Sequence, residues 1–487
     1  MAIEKELNLT KKQRILIMIP LLIGGFIALL NETLLNVAFP QLTSSLHVST
    51  STVQWLATAY MLIIGILVPV VAFLMETFTT KTLYLTAMGL FTVGTICCGF
   101  SQSFTALLIF RMVQGAGTGM LMPIMTNTIL TIYPIEKRGS AMGISLIIVV
   151  FAPTIGPTLS GLMLQYLNWH WLFFSILPFA LFAIITGLIS LKNVSNLTKP
   201  QIDVLSVILS TIGFGGLIFG ICSIESLGFL NGVVLISLLC GFGGLILFTK
   251  RQLTLKQPML ELRLFRFPMF SLGTAILMIS FMIPFSVNII LPTYFQSSMG
   301  MTPFAAGLAL LPGSILNMII TPLSGHLFDR IGAKSLVTTG FCILTVTMFC
   351  FSHISGSTNL RTIIVLHLFT FLGISLINTP TQTNTLNQLP KKYNSHGVAI
   401  TNTLQQISAA IGSSLFIGLM GAKQTKYLSK LKNPDILQQH TAIISGVDMA
   451  FTAALILIII ALILSLFLKQ GETWCKKDKI CETSKIS

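Results

Sequence analysis

Two ionisable side chains stand well inside long apolar runs: Glu32 in the run 15–37, and Arg111 in the run 105–127. A charge at the centre of a membrane span costs about 2.5–3.5 kcal/mol on insertion scales, so such groups persist where they face protein or water and find partners. At 1.5 Å per residue Glu32 lies about 26 Å from the start of its run, and Arg111 about 9 Å from the start of its own. Burial opposes the charge on such a carboxylate and a neighbouring guanidinium favours it. A movement that alters either influence would bind or release a proton. The chemistry predicted is therefore proton handling at Glu32, with a structural ion pair as the alternative. Gln114, three residues after Arg111, shares its helix face. Asn31, Gln54 and Tyr60 are further polar candidates in the first half of the chain, and Asn288, Asn317, Asn378, Gln382, Gln405 and Gln406 in the second. They are expected to line a substrate cavity; the competing role for each is an interhelical hydrogen bond.

The elements that must position these groups follow from composition. Of 487 residues, 53% are hydrophobic and only 9% are Asp, Glu, Lys or Arg. Soluble domains carry about 25% charged residues. With a mean hydropathy of +0.87, the chain cannot clothe a soluble particle, which excludes a cytosolic enzyme, a disordered protein and a nucleic-acid binder. Fourteen runs are long enough to cross a hydrocarbon layer of about 30 Å. They are 15–37, 53–74, 82–101, 105–127, 140–163, 169–190, 203–223, 229–249, 270–293, 303–324, 335–352, 361–384, 399–421 and 448–469. An all-α integral membrane protein is predicted.

With fourteen spans, 23 of the 29 Lys and Arg residues fall on one side and five on the other, Arg111 lying within a span. The excess marks the cytoplasmic side. Both termini are expected there, in a bacterial cytoplasmic membrane, and the net charge of +15 becomes a topology signal. Two loops on that side resemble each other at an offset of 253: Leu74-Met75-Glu76-Thr77-Phe78-Thr79-Thr80-Lys81-Thr82-Leu83 and Leu327-Phe328-Asp329-Arg330-Ile331-Gly332-Ala333-Lys334-Ser335-Leu336. The repeat implies two parallel six-helix bundles over 1–200 and 251–470, an inserted helix pair over 201–250 and a cytoplasmic tail over 471–487. Repeats of this kind place the substrate site near the midplane between halves and work by alternating access.

No Gly-rich phosphate loop, metal cluster or nucleophile–base pair is present, and the absence of GxxxxGK[ST] removes ATP as an energy source within the chain. Transport rather than catalysis is expected, with no cofactor, a proton gradient as the energy source, and small molecules, protons and the lipid bilayer as partners of a monomer. The cysteines read as small apolar fillers.

Several motifs resemble the major facilitator superfamily, specifically its fourteen-helix drug–proton antiporters of the EmrB/QacA type. Gly325-His326-Leu327-Phe328-Asp329-Arg330-Ile331-Gly332-Ala333-Lys334 is similar to the superfamily loop signature G-x-L-x-D-R-x-G-x-K. Its first copy keeps Glu76 and Lys81 but has Thr77 for the Arg, and Ala72 and Thr79 for the glycines. Arg111-Met112-Val113-Gln114-Gly115-Ala116-Gly117 resembles the fourth-helix motif R-x-x-Q-G-x-G. Gly143, Ala152, Gly156, Pro157, Ser160 and Gly161 have the spacing of the fifth-helix antiporter motif G-x8-G-x3-G-P-x2-G-G, with Ala and Ser in place of two glycines. In the family that motif marks exporters.

The resemblance implies that the first and fourth spans are neighbours lining the cavity, so that Glu32 and Arg111 share one polar site. It also implies cytoplasmic gating by Glu76, Lys81, Arg138, Gly325, Asp329, Arg330, Gly332 and Lys334. The function it implies is proton-coupled export of amphipathic or cationic drugs. A dedicated exporter of one metabolite is the alternative, and a membrane enzyme the more distant one.

Overall fold

The protein was analysed as a computed structural model that describes residues 10–469, apart from 49, 195–196, 198–202, 228–230, 256–257, 356–357 and 432–434. The tail expected over 471–487 lies outside the described residues. In hydrocarbon every backbone N–H and C=O needs a partner, and a helix supplies it within one segment. The described chain is accordingly helical. Its elements are α1 (Lys11–Val37), α2 (Phe39–Leu46), α3 (Thr50–Thr77), α4 (Thr80–Gly99), α5 (Phe104–Ile132), α6 (Arg138–Tyr166), α7 (His170–Phe174) and α8 (Leu177–Ser190). They continue with α9 (Val204–Leu227), α10 (Gly232–Thr254), α11 (Pro268–Ser297), α12 (Pro303–Ile331), α13 (Ala333–Phe351), α14 (Leu360–Asn387), α15 (Asn394–Leu428) and α16 (Ile436–Leu466).

Each expected run is occupied by one of these helices, the sixth by α7 together with α8. Among the described residues eleven helices are long and apolar enough to cross a bilayer, or twelve if the two arms of α3, bent by 52°, form one span. The count of fourteen is not reached on that measure. The two helices that fall short are α6, whose apolar stretch Arg138–Pro153 is shorter than a span, and α15, which carries Asn402, Gln405, Gln406, Lys423 and Lys426.

Loop residues start the helices. Thr79 Oγ1 accepts the Thr82 N–H, Ser103 Oγ the Ala106 N–H, Thr302 Oγ1 the Ala305 N–H and Asn359 Oδ1 the Arg361 N–H. Each satisfies an N–H left over at a helix start. Large apolar side chains on the outside of α8 and α10, among them Phe179, Phe182, Ile189, Leu239 and Phe242, are exposed. That is the surface a lipid solvent requires.

The chain divides into two compact units. One comprises Met1–Pro134, Ser145–Leu262 and Val398–Thr403, the other Ile135–Ile144, Arg263–Gly397 and Leu404–Ser487. In the first, α9 and α10 pack antiparallel through facing glycines: a Cβ on Gly216 would lie 2.9 Å from Gly241 Cα, and one on Gly241 2.6 Å from Leu217 N. Only glycine permits backbones so close. The pair is tied at one end by Arg251, whose Nε and Nη2 donate to Asp203 at 2.7 and 2.9 Å. Those bonds hold the Asp203 carboxyl at about 2, below the usual carboxylate range. Gln252 adds two more, donating to Ser206 Oγ and accepting from Leu260 N at 3.0 Å. The core of the second unit is aliphatic with aromatic side chains among it, Phe351 and Phe451 being stacked at 4.8 Å.

The loop repeat extends to the helices. α3 and α12 both lead into the repeated loop, and α4 starts at Thr80 where α13 starts at Ala333, the same offset of 253. The next loops differ in length, 100–103 against 352–359. Beyond them the offset becomes 256, as from Ile135 to Lys391 in the short 3-10 turns and from Arg138 to Asn394 in α6 and α15. Packing follows the same register. A Cβ on Gly117 of α5 would meet Phe91 N of α4 at 2.7 Å, and one on Gly373 of α14 would meet Gly340 O and Leu344 Cγ of α13 at 2.9 Å.

Candidate functional site

In the first unit the fourth-helix motif builds a polar site around one cation. Arg111, on α5, is fully buried. Its Nη1 donates to Gln114 Oε1 at 2.7 Å, one turn along the same helix. Gln114 Nε2 passes the chain on to Thr95 Oγ1 of α4 at 2.6 Å. The guanidinium carbon lies 4.0 Å from the centroid of the Tyr60 ring of α3, a cation–π contact in a water-excluded place. Tyr60 is itself fixed: its hydroxyl shares a hydrogen bond with Thr118 Oγ1 at 2.6 Å and donates to Ala28 O of α1 at 3.3 Å. The glycines of the motif make the approach possible. A Cβ on Gly115 would meet Tyr60 O at 3.0 Å, and Gly117 does the same work against α4.

Arg111 Nε and Nη2 have no partner. A buried donor without an acceptor is costly, and a charged one more so. Glu32 stands one turn beyond Ala28 on α1 and is half-buried. It lies close enough for its charge and that of Arg111 to act on each other. No hydrogen bond or ion pair joins the two side chains. Asn31, beside Glu32, is buried with its Nδ2 unpartnered. A carboxyl group, a guanidinium with two nitrogens unpartnered and an amide nitrogen unpartnered thus sit on packed helices. Such a set can exchange a proton or take a polar ligand.

The remaining cavity candidates divide. In the second unit, Asn317 Oδ1 accepts from Ser375 Oγ and from Thr321 Oγ1 (3.0 Å), which joins α12 to α14. Asn378 Oδ1 accepts from Ser280 Oγ of α11 at 2.8 Å. Gln382 is buried with Oε1 unpartnered, Gln405 is half-buried with Nε2 unpartnered, and Gln406 and Asn288 are exposed. The side chain of Gln54 lies outside the described residues. Asn317 and Asn378 therefore hold interhelical hydrogen bonds, the competing role for such residues.

The antiporter motif is a packing device at several of its positions. A Cβ on Gly143 would lie 2.9 Å from Pro322 Cα of α12, and one on Gly156 would overlap Thr33 of α1. Ala152 is fully buried, as is Ser160, whose hydroxyl is unpartnered; Gly161 faces open space. The side chain of Pro157 lies outside the described residues.

Among the gating candidates Asp329 has a defined task. Its Oδ1 accepts from Gly139 N at 3.0 Å, and its Oδ2 from Ser140 N at 2.9 Å and Ser140 Oγ at 2.6 Å. The carboxylate of α12 thus caps the start of α6, where free N–H groups and the helix dipole favour an anion. Gly139 and Gly325 touch backbone to backbone beside it. Arg138 donates to Asn387 Oδ1 at 2.9 Å. Gly332 takes φ +80°, the left-handed region that favours glycine, between α12 and α13. Lys81 donates to Leu188 O at 2.6 Å, Glu76 is half-buried, and Arg330 and Lys334 are exposed.

Sequence reasoning missed Thr95, Thr118, Ser140, Ser280, Ser375 and His367. Thr118 had a signal, lying four residues after Gln114 and seven after Arg111, on one face. Thr95 and Ser375 had none, because their partners come from other helices. Among the described residues no three His, Cys, Asp or Glu side chains converge as metal ligands would.

The sequence profile of the Major Facilitator Superfamily matches residues 21–413. The chain is 46% identical over 457 residues to the lincomycin resistance protein LmrB of Bacillus subtilis (strain 168), covering 93% of this chain and 95% of that one. It is 44% identical over 451 residues to the protein of the same name from Listeria monocytogenes serovar 1/2a (strain ATCC BAA-679 / EGD-e), covering 93% and 96%. Among solved structures, the human organic anion transporter MFSD10 (TETRAN) superposes with a TM-score of 0.65 at 12% identity, over 93% of this chain and 99% of that one. At that identity the likeness is one of fold.

Proposed function

The chain belongs to the Major Facilitator Superfamily, and from that premise we propose that it is a proton-driven exporter of amphipathic or cationic drugs, a multi-pass protein of the cell membrane with both termini in the cytoplasm. The substrate class is supported by near full-length similarity to proteins named for lincomycin resistance. The coupling is carried by one observation: a buried guanidinium with two unpartnered N–H groups, held over Tyr60, within electrostatic reach of the half-buried Glu32.

In this reading Glu32 alternates between proton and substrate. When the acid is charged, Arg111 and a cationic substrate compete for it. When it is protonated, that attraction disappears and the substrate is released. Arg111, kept in place by Gln114, Thr95 and Tyr60, supplies the fixed positive field against which Glu32 titrates. No cofactor takes part; the proton gradient supplies the energy, and a monomer suffices.

The test is efflux from everted vesicles bearing the full chain, with lincomycin and a cationic dye as probes. Transport is expected to collapse on addition of an uncoupler, and Glu32→Gln is expected to remove the gradient-driven component, at least tenfold. Proton-driven efflux left intact in Glu32→Gln overturns the coupling role. A second reading, an exporter dedicated to one compound, is favoured by the relatives being named for a single drug. A dye carried as well as lincomycin excludes it.

A further inference from the structure

His367, on α14, is fully buried, and neither of its ring nitrogens has a hydrogen-bond partner. The residues one turn away on each side, Ile363 and Phe371, belong to the apolar core of the second unit, and the Phe371 ring lies 4.7 Å from the imidazole. Thr370, on the next turn, gives its hydroxyl to Leu366 O at 2.8 Å. Across from the ring α12 presents Gly313, where a Cβ would overlap the imidazole.

Charge is also absent around it. Of the helices packed on α14, α11 carries Tyr294 alone among ionisable groups, α13 carries Lys334, Cys342 and Cys350, and α12 carries His326, Asp329 and Arg330. The α12 groups lie 13 or more residues beyond Gly313, about 20 Å along the helix. On α14 itself Arg361 stands six residues earlier, about 9 Å away along the axis. An imidazolium here would have neither counter-ion nor hydrogen-bond acceptor among the described residues, so the sealed site suits the neutral ring. A Leu or Phe would fill the same space without two stranded nitrogens.

The register of the repeat gives the position its meaning. With the offset of 256 that relates Arg138 to Asn394, His367 falls at the place of Arg111. With the offset of 253 that relates α4 to α13, Gly313 falls at the place of Tyr60. In one unit an aromatic ring covers a guanidinium; in the other a missing side chain leaves a notch that an imidazole fills. Both repeats thus put an ionisable side chain at one position of the corresponding helix.

We infer that His367 is a proton-binding site, neutral and sealed in the conformation described, and protonated when α12 and α14 part and water reaches the ring. The proton comes from the aqueous compartment then in contact, adds to the free lone pair of the imidazole and returns to water before the ring is sealed again. The inference rests on the exporter proposed above and adds to its cycle a local parting of α12 from α14 within the second unit.

Two measurements test it. In proteoliposomes, initial efflux rates of the full chain between pH 5 and 8 are expected to show a break near the ordinary histidine range, about 6.5. His367→Gln is expected to lose that break while keeping the alkaline rate within twofold. Gly313→Ala, whose methyl would occupy the place of the sealed ring, favours the open form, so the break is expected to move to higher pH. A His367→Gln profile that superposes on wild type, or a Gly313→Ala break that stays or moves down, overturns the inference. The second readout is independent of transport. Purified wild type, taken from pH 8 to 5, is expected to bind about one proton more per chain than equally monodisperse His367→Gln. Equal uptake overturns the site even if the protein exports drugs, and a one-proton difference supports it even if no tested drug is exported.

Discussion

The two units place different chemistry at matching positions. Around Arg111 the first unit gathers an aromatic face, an amide and two hydroxyls, and leaves an acid nearby. Around His367 the second unit gathers apolar side chains and a glycine notch. The scaffolds under them are alike, since Gly117 and Gly373 seat α5 and α14 on α4 and α13 through corresponding residues. Helix contacts fixed by small residues tolerate little change, because a backbone approach admits no side chain. The position two turns away is free to diverge provided its neighbours diverge with it. Arg111 needs Tyr60 and Gln114; His367 needs the space at Gly313. The lesson is that the ionisable residue and its immediate cover change as a set.

That reading is broken most directly by exchanging one member of the set. His367→Arg is expected to be the most damaging change in the molecule. It would bury a guanidinium with no aromatic cover and no acceptor, a cost of about 3–5 kcal/mol for an uncompensated buried charge. Thermal unfolding in detergent should show a large loss for His367→Arg. The reciprocal Arg111→His, which only removes charge from a polar place, should fold and lose gradient-driven efflux. Equal stability of the two variants would show that the surroundings are interchangeable.

The shared scaffold predicts the next effect. Gly117→Val and Gly373→Val should destabilise to similar extents, about 1–3 kcal/mol each, as overpacking does where backbones touch. A variant tolerated in one unit and not in the other would break the correspondence on which the register of His367 depends. Asp329→Ala is smaller. It removes the acceptor that caps α6 and should cost about 1 kcal/mol, read as faster amide exchange at Gly139 and Ser140, with Asp329→Asn in between. Unchanged exchange there would show that Asp329 does not hold that helix start.

The sequence exposed much of this and hid a definable part. Apolar runs located the long helices but not α2, which lies between the first two runs; Thr79, Ser103, Thr302 and Asn359, at the helix starts, are of types that cap. The Arg111–Gln114 bond was legible because both lie on one helix, three residues apart. Thr95 was not, since its place beside Gln114 depends on how α4 and α5 register, which Gly94 sets by letting Gln114 N come within 2.7 Å of where a Cβ would stand. Nor was His367: the longer loop before α14 shifts the repeat from 253 to 256, and a strict 253 pairs it with Gln114 instead. Helices α6 and α15 were expected as spans by their length, yet α6 offers an apolar stretch only over Arg138–Pro153, and the polar residues of α15 keep it below the apolarity of the others.

The smallest effect lies away from both sites, where α9 meets α10. Arg251 donates to both oxygens of Asp203, and these bonds hold the carboxyl at about 2. In the unfolded chain the group returns to about 3.9. A carboxylate whose folded value is depressed stabilises the fold fully above the unfolded value, and that contribution is lost as pH falls through the folded one. The pair is partly exposed, so water and salt screen it. Asp203→Asn should therefore lower the melting temperature by no more than about 2 °C at pH 7. The difference from wild type should persist to about pH 4, then close between pH 4 and 2. A difference that instead grew on acidification would mean that Asp203 is held by something other than its charge, and that this end of α9 and α10 has more in common with the neutral surroundings of His367 than with the charged site of Arg111.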